Sequence, residues 1–97
     1  MKTIFLVSQK EADLAREMET RLLSLPSSSG VLFAGVSVSP ATDDSPTVYD
    51  IWVGCHRDYE EALMSALVQV TLKDELEGVQ YRVHAHRGRV RDKAVDN

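Results

Sequence analysis

The sequence contains little cysteine, few aromatic residues and no long apolar run. Its 97 residues include one cysteine, Cys55, and aromatic residues make up 6% of the chain. One thiol cannot form an internal disulfide and cannot build a thiolate-rich metal site within one chain. No apolar stretch approaches the ~20 residues that cross a bilayer, and the apolar run at residues 4–7 is shorter than the core of a signal peptide. We therefore expect a cytoplasmic protein without a membrane partner.

Positive charge is also scarce, and it is unevenly distributed. The net charge is −4, yet residues 1–81 hold 6 Lys and Arg against 13 Asp and Glu, while residues 82–93 hold 5 against 1. Nucleic-acid binding depends on clustered Lys and Arg that neutralise phosphates. The acidic balance therefore disfavours nucleic acid as a partner, although the basic end could make one electrostatic contact.

The length fits one small domain. A chain of this size buries roughly 60–65% of the surface of its unfolded form, which suffices for a core without disulfides or metals. We predict a single domain over residues 1–88. Residues 89–97 form a basic C-terminal tail that we expect to fray.

Apolar periodicity predicts six elements along the chain. The continuous apolar run of residues 3–7 is typical of a strand buried on both faces. Ser8 and Glu11 have the spacing of a capping box, which starts a helix over residues 9–25. Alternating residues predict strands over 31–39, 48–56 and 79–86. A second helix is predicted over residues 59–76, with Gly78 as its left-handed cap.

The order of these elements is β-α-β-β-α-β, which resembles the split βαβ or ferredoxin-like plait. The expected fold is therefore α+β, with a four-stranded antiparallel sheet and both helices on one face. The first and third strands would be central. Many unrelated functions share this fold, so the fold alone implies no activity.

The alternation of the last strand places its polar residues on the sheet face away from the helices, which we call the open face. His84 and His86, two residues apart, would project to the same side and could present two imidazoles to Zn²⁺ or Ni²⁺. Asp50 and His56 on the third strand share that face. With the first strand between them, the two strands would be ~9–10 Å apart, which is long for a shared metal. A metal or small-ligand sensor therefore remains an alternative hypothesis.

The open face should also carry two aromatic side chains, Phe33 and Trp52. RNA-recognition motifs stack bases on aromatic residues of such a face. This gives a second alternative, a nucleic-acid-binding module that adds the cations Arg82, Arg87, Arg89 and Arg91. The third strand lacks the basic-glycine-aromatic pattern of those motifs, and Asp50 would repel phosphate. An apolar patch of this kind is more typical of a protein interface, with Phe33 and Trp52 at its centre and Arg82 on its polar rim.

A second interface candidate lies on the second helix. Its larger apolar arc, around Leu63 and Val70, should face the sheet. Met64, Val68 and Leu72 form a column on the opposite side, so we expect them to contact a partner. No nucleophile and base occur at a catalytic spacing, and Cys55 and His56 point to opposite faces of a strand. The sequence therefore predicts a non-enzymatic interaction or regulatory module without a cofactor. Its expected partner is a second copy in a dimer, or another protein.

Overall fold

The computed structural model describes residues 6–56 and 58–87, which form helices and strands in the order α-β-β-α-α-β. The predicted tail, with Arg89 and Arg91, lies outside the described residues, so the proposed domain boundary at residue 88 stays a prediction. Among the described residues, no helix is long and apolar enough to cross a membrane. The elements are α1 (Gln9–Leu23), a 3₁₀ turn (Ser27–Ser29), β1 (Val31–Ser39), β2 (Val48–Cys55), α2 (Glu61–Thr71), α3 (Lys73–Leu76) and β3 (Gln80–Arg87).

The predicted capping box starts α1. The Ser8 hydroxyl accepts a hydrogen bond from the Glu11 N–H at 3.1 Å, and the Glu11 carboxylate accepts one from the Ser8 N–H at 3.0 Å. The helix buries Met18 and Leu22 at helical spacing. Two of its carboxylates also bind the sheet hairpin, since Glu11 accepts from the Thr47 hydroxyl and Glu19 from the Val36 N–H. These contacts hold α1 against the β1–β2 hairpin.

The sheet has three strands in the order β1-β2-β3, and it is mixed. β1 and β2 form the predicted antiparallel hairpin, whereas β2 and β3 pair directly and in parallel. Helix α2 makes the connection that a parallel pair requires. Residues of β2 at alternate positions pack with the helices, which confirms that both long helices cover one face. The inward residues of β2 are Tyr49, Ile51, Val53 and Cys55.

The prediction of a four-stranded antiparallel sheet is therefore wrong. Part of the predicted first strand, residues 3–5, lies outside the described residues, and Leu6 and Val7 are not in a strand. The direct pairing of β2 with β3 leaves no position for a strand between them. An apolar run shows that a segment tends to be buried, but it does not specify a pairing partner. For this reason the predicted neighbour of β3 was the wrong strand.

The buried side of α2 is the one that was predicted to be exposed, and the exposed side is the one that was predicted to be buried. Met64, Val68 and Leu72, predicted to contact a partner, are each no more than 1% exposed and belong to the core. Leu63 and Val70, predicted to face the sheet, are 65% and 73% exposed. The buried column continues through Leu76 in α3 and contains no alanine, whereas the exposed arc contains Ala62 and Ala66. Each residue of the buried column thus takes a larger apolar side chain out of water than these alanines would.

Candidate interaction surface on the open sheet face

The sheet face away from the helices, here called the open face, is formed by residues of alternate parity on all three strands. The register places Trp52 between Gly35 of β1 and His84 of β3, and it places Asp50 between Ser37 and Arg82. Sequence parity had predicted this face for Phe33, Trp52, Arg82, His84 and His86. The members of the open face are Phe33, Gly35, Ser37, Ser39, Val48, Asp50, Trp52, Gly54, Gln80, Arg82, His84 and His86.

Trp52 lies at the centre of the open face in a stack of aromatic rings. Its indole is nearly parallel to the imidazole of His84, with centroids 4.0 Å apart and an interplanar angle of 15°. His86 lies at 6.2 Å and 14° from the same indole. Trp52 is nevertheless 41% exposed. The stack therefore orients a large side chain that still offers area to a partner.

Asp50 connects this stack to Arg82. The Arg82 guanidinium donates two hydrogen bonds to the Asp50 carboxylate, from Nε at 2.8 Å and from Nη2 at 3.1 Å. Nε2 of His84 lies 2.9 Å from the same carboxylate. The hydrogen bonds from Arg82, followed by the one from His84, hold the pKa of Asp50 below its usual range. The same contact raises the pKa of Arg82. Asp50 is thus a buried, ionised acid that fixes both of its partners.

Phe33 lies on the open face because Gly54 leaves space for its ring. The two residues are opposite each other on β1 and β2, and a β-carbon at Gly54 would overlap the Phe33 ring. The ring covers Gly54, which is buried, and remains 45% exposed itself. Sequence reasoning identified Phe33 but missed the role of Gly54. An interior glycine on a strand opposite an aromatic residue is the signal that would have indicated it.

The exposed arc of α2 forms a second apolar surface, here called the outer stripe. Its members Leu63, Ala66 and Val70 are exposed and recur at helical spacing. No charged residue occurs between Glu61 and Lys73. Since the core column of α2 faces the sheet, the outer stripe faces the opposite way. The open face and the outer stripe are thus on opposite surfaces of the molecule.

The described residues do not provide the further ligands that a metal site at His84 and His86 would need. The predicted separation of β2 from β3 is wrong, and Asp50 does lie beside His84. However, that carboxylate is already occupied by Arg82. Among the described residues, no group of three or more His, Cys, Asp or Glu side chains could hold a metal ion. The metal hypothesis for His84 and His86 therefore gains no support from this arrangement.

The cations predicted for nucleic-acid binding do not form one cluster among the described residues. Arg82 is paired with Asp50, so part of its charge is neutralised locally. Arg87 is opposite Cys55 in the register and thus has the other parity from Arg82. Arg82 and Arg87 thus do not form the cation cluster that phosphates require, and Arg89 and Arg91 lie outside the described residues.

Cys55 is a core residue. It is fully buried, and its thiol lies 3.5 Å from the carbonyl oxygen of His86. Burial raises the pKa of the Cys55 thiol, which disfavours the reactive thiolate. His56 follows β2, and its Nδ1 accepts a hydrogen bond from the N–H of Asp58. The two adjacent residues thus have separate structural roles.

No family model and no curated protein matches the sequence. One similar solved structure is the crystal structure of the type III secretion system protein EscJ from enteropathogenic E. coli. The similarity has a TM-score of 0.55 at 15% identity, and it covers 90% of this chain and 61% of the EscJ chain. The chain thus spans less than two thirds of the length of that protein. At this identity the likeness concerns the fold, an α+β arrangement in which a helix precedes a three-stranded mixed sheet.

Proposed function

We propose that this chain is a non-catalytic structural module that self-associates, with the open face of one copy covering the outer stripe of the next. The observation that carries this proposal is the exposure of Trp52 and Phe33 on the open face. Trp52 is 41% exposed and Phe33 is 45% exposed. Aromatic residues surrounded by polar side chains have the composition of an interface centre with a polar rim.

The preformed geometry of the open face supports this role. Trp52 is oriented by His84, and His84 is held by Asp50. A side chain that is already ordered loses less conformational entropy when a partner covers it. The open face therefore suits a stable contact better than an equally apolar surface of mobile side chains would.

The position of the two apolar surfaces supports a head-to-tail contact. A contact between two different surfaces on opposite sides of a molecule leaves one surface free at each end. Repetition of such a contact closes into a ring or extends as a filament. The fold likeness to EscJ, a protein of a secretion system by its name, fits a building-block role of this kind. We extend that role to this chain as part of the proposal, including membership of a multi-subunit assembly.

Two variants test the contact by mixing. A helix-blocked variant, Leu63→Glu, keeps the open face and places a charge in the outer stripe. A sheet-blocked variant, Phe33→Glu with Trp52→Gln, keeps the outer stripe and removes the only tryptophan. We expect each variant alone to be a monomer, because a charge buried without a partner weakens an interface strongly, by about tenfold or more. We expect the mixture to form a complex of two chains, since each variant supplies the surface that the other lacks.

Light scattering gives the mass, and the emission of Trp52 in the helix-blocked variant reports whether the open face is covered. Leu23→Glu is a matched control, because Leu23 is 58% exposed but lies at the end of α1. It should associate like the unchanged chain. Assembly of the helix-blocked variant by itself would instead indicate a symmetric sheet-to-sheet dimer. A mixture that remains monomeric would refute the head-to-tail contact.

The predicted cytoplasmic location is a separate proposal, which cell fractionation tests.

A further inference from the structure

We propose that His84 and His86 make the contact between the open face and the outer stripe dependent on pH. The contact forms when both imidazoles are neutral and weakens when they take up protons. This inference rests on the proposed function, and it adds a form of regulation to the same site. Histidine is the side chain that ordinarily changes charge between about pH 5 and 8.

The charges around His84 balance when its imidazole is neutral. The negative charge of Asp50 is already matched by the two hydrogen bonds from Arg82. A neutral His84 can donate from Nε2 to Asp50, and the cluster then carries no net charge. Protonation of His84 adds a positive charge for which the cluster holds no second acid. In the free protein, water solvates that charge.

His86 has even less compensation for a positive charge. It is exposed, and no acidic side chain among the described residues forms an ion pair with it. The titratable or charged groups on its face of the sheet are Asp50, Arg82 and His84. β1 contributes only uncharged residues to this face, and the helices pack on the other side. Protonation of His86 therefore adds a further positive charge, and the only acid of this face among the described residues, Asp50, is already paired with Arg82.

The surface that would cover these groups is itself uncharged. The outer stripe lies within residues 62–72, which contain no charged residue. The stripe itself can remove water from the histidines but holds no counterion; the nearest charged residues along the chain, Glu61 and Lys73, lie at its two ends. Burial of an unpaired charge is costly, whereas a neutral imidazole stacked on an indole is not. A protonated imidazole also gains from Trp52, but this gain is present in the free protein as well and does not offset the lost hydration.

The sign of the effect follows from this difference. The free open face binds protons more readily than the covered one, so association releases protons. By linkage, association becomes stronger as pH rises and weaker as pH falls. Each released proton contributes up to about a tenfold change in the dissociation constant per pH unit.

A mixture of the helix-blocked and sheet-blocked variants contains a single contact of this kind, so its dissociation constant reports the pH dependence of that contact. We expect its dissociation constant to rise at least about tenfold between about pH 7.5 and about pH 5.5. His84→Gln with His86→Gln in the helix-blocked chain should bind at about pH 7.5 and lose most of this dependence. The new amide at position 84 can still donate to Asp50, but it takes up no proton in this range. His86→Lys in the same chain should weaken binding at both pH values, because its charge is permanent.

The third histidine of the chain, His56, provides the matched control: the sequence placed it on the open face, but it follows the end of β2 and its ring lies edge-on to that of Tyr59, with centroids 6.3 Å apart. His56→Gln should retain the full pH dependence. Binding of the unchanged pair that is equal at both pH values, or stronger at the lower one, would overturn this inference while the proposed function stands. Absence of binding at every pH would instead refute the proposed function, and the inference with it. Far-UV circular dichroism at both pH values confirms that the chains compared are folded.

Discussion

At the scale of single residues, Gly54 determines where Phe33 lies. A β-carbon at Gly54 would overlap the Phe33 ring, and neither residue belongs to the core cluster. We predict that Gly54→Ala displaces the ring and weakens self-association severalfold. The free energy of unfolding should fall by about 1 kcal/mol, since the exposed ring can move into solvent. Light scattering and urea denaturation measure the two effects.

Gly35→Ala is the matched control for this prediction. Gly35 is on the same face of the sheet, but a β-carbon there meets no atom within 4 Å. It should leave association unchanged and keep or slightly raise stability, because alanine loses less backbone entropy than glycine. Equal effects of the two substitutions on association would contradict the role of Gly54.

Asp50 should make the protein sensitive to acid. Arg82 and His84 lower its pKa in the folded state, so its contribution to stability is fully present above the unfolded pKa of about 3.9. The contribution is lost as pH falls through the lower folded pKa. We predict that Asp50→Asn lowers the free energy of unfolding by about 1 kcal/mol at neutral pH, a modest value because Arg82 is largely exposed. The variant should also lose less stability than the unchanged chain as pH falls below about 4.

Urea denaturation at several pH values checks this prediction, and Asp43→Asn serves as the control. Asp43 is exposed in the loop between β1 and β2. Its substitution should change stability by no more than about 0.5 kcal/mol. If Asp50→Asn unfolds at the same urea concentration as the unchanged chain, the cluster with Arg82 does not stabilise the fold.

At the scale of elements, the orientation of α2 can be tested with one substitution at two positions. Val68 is fully buried, whereas Val70 is 73% exposed. We predict that Val68→Ala lowers the free energy of unfolding by about 2 kcal/mol, since it removes buried methyl groups and leaves a cavity. Val70→Ala should change it by no more than about 0.5 kcal/mol, because alanine has the higher helix propensity. Urea denaturation measures both free energies of unfolding. A larger loss of stability for Val70→Ala than for Val68→Ala would instead support the orientation predicted from the sequence.

The sequence predicted local features of these elements well. The capping box at Ser8 and Glu11 depends on residues three positions apart, and the parity of Trp52 and His84 depends only on alternation within a strand. Both were predicted correctly for this reason. The choice between the two apolar sides of α2 could not be predicted with the same means. Both sides have helical spacing, and the outcome depends on the volumes that the sheet and α1 leave to be filled.

Strand pairing was equally inaccessible from the sequence. The contact between Asp50 and Arg82 joins residues 32 positions apart, and it exists because β2 and β3 are neighbours. Alternation assigns a residue to a face of a sheet, but it does not determine which strand lies beside it. Since we expected a strand between these two, the acid at the centre of the open face was not recognised as a partner for Arg82 and His84.

At the scale of the whole molecule, the two apolar surfaces define how copies of the chain would associate. The helices cover one face of the sheet, and they leave the open face and the outer stripe on opposite sides. A small domain with this arrangement buries its core without help, yet it retains aromatic and aliphatic area that a neighbour can cover. The proposed function of the chain therefore depends on its two surfaces and not on a cavity.

The most direct test of self-association combines light scattering with the emission of Trp52 over a series of protein concentrations at about pH 7.5. Trp52 is the only tryptophan, so its emission reports on the open face alone. We predict that the mass rises with concentration and that the emission shifts to shorter wavelength in step with it, as the indole is covered. A monomeric mass with unchanged emission at all concentrations would contradict the central claim.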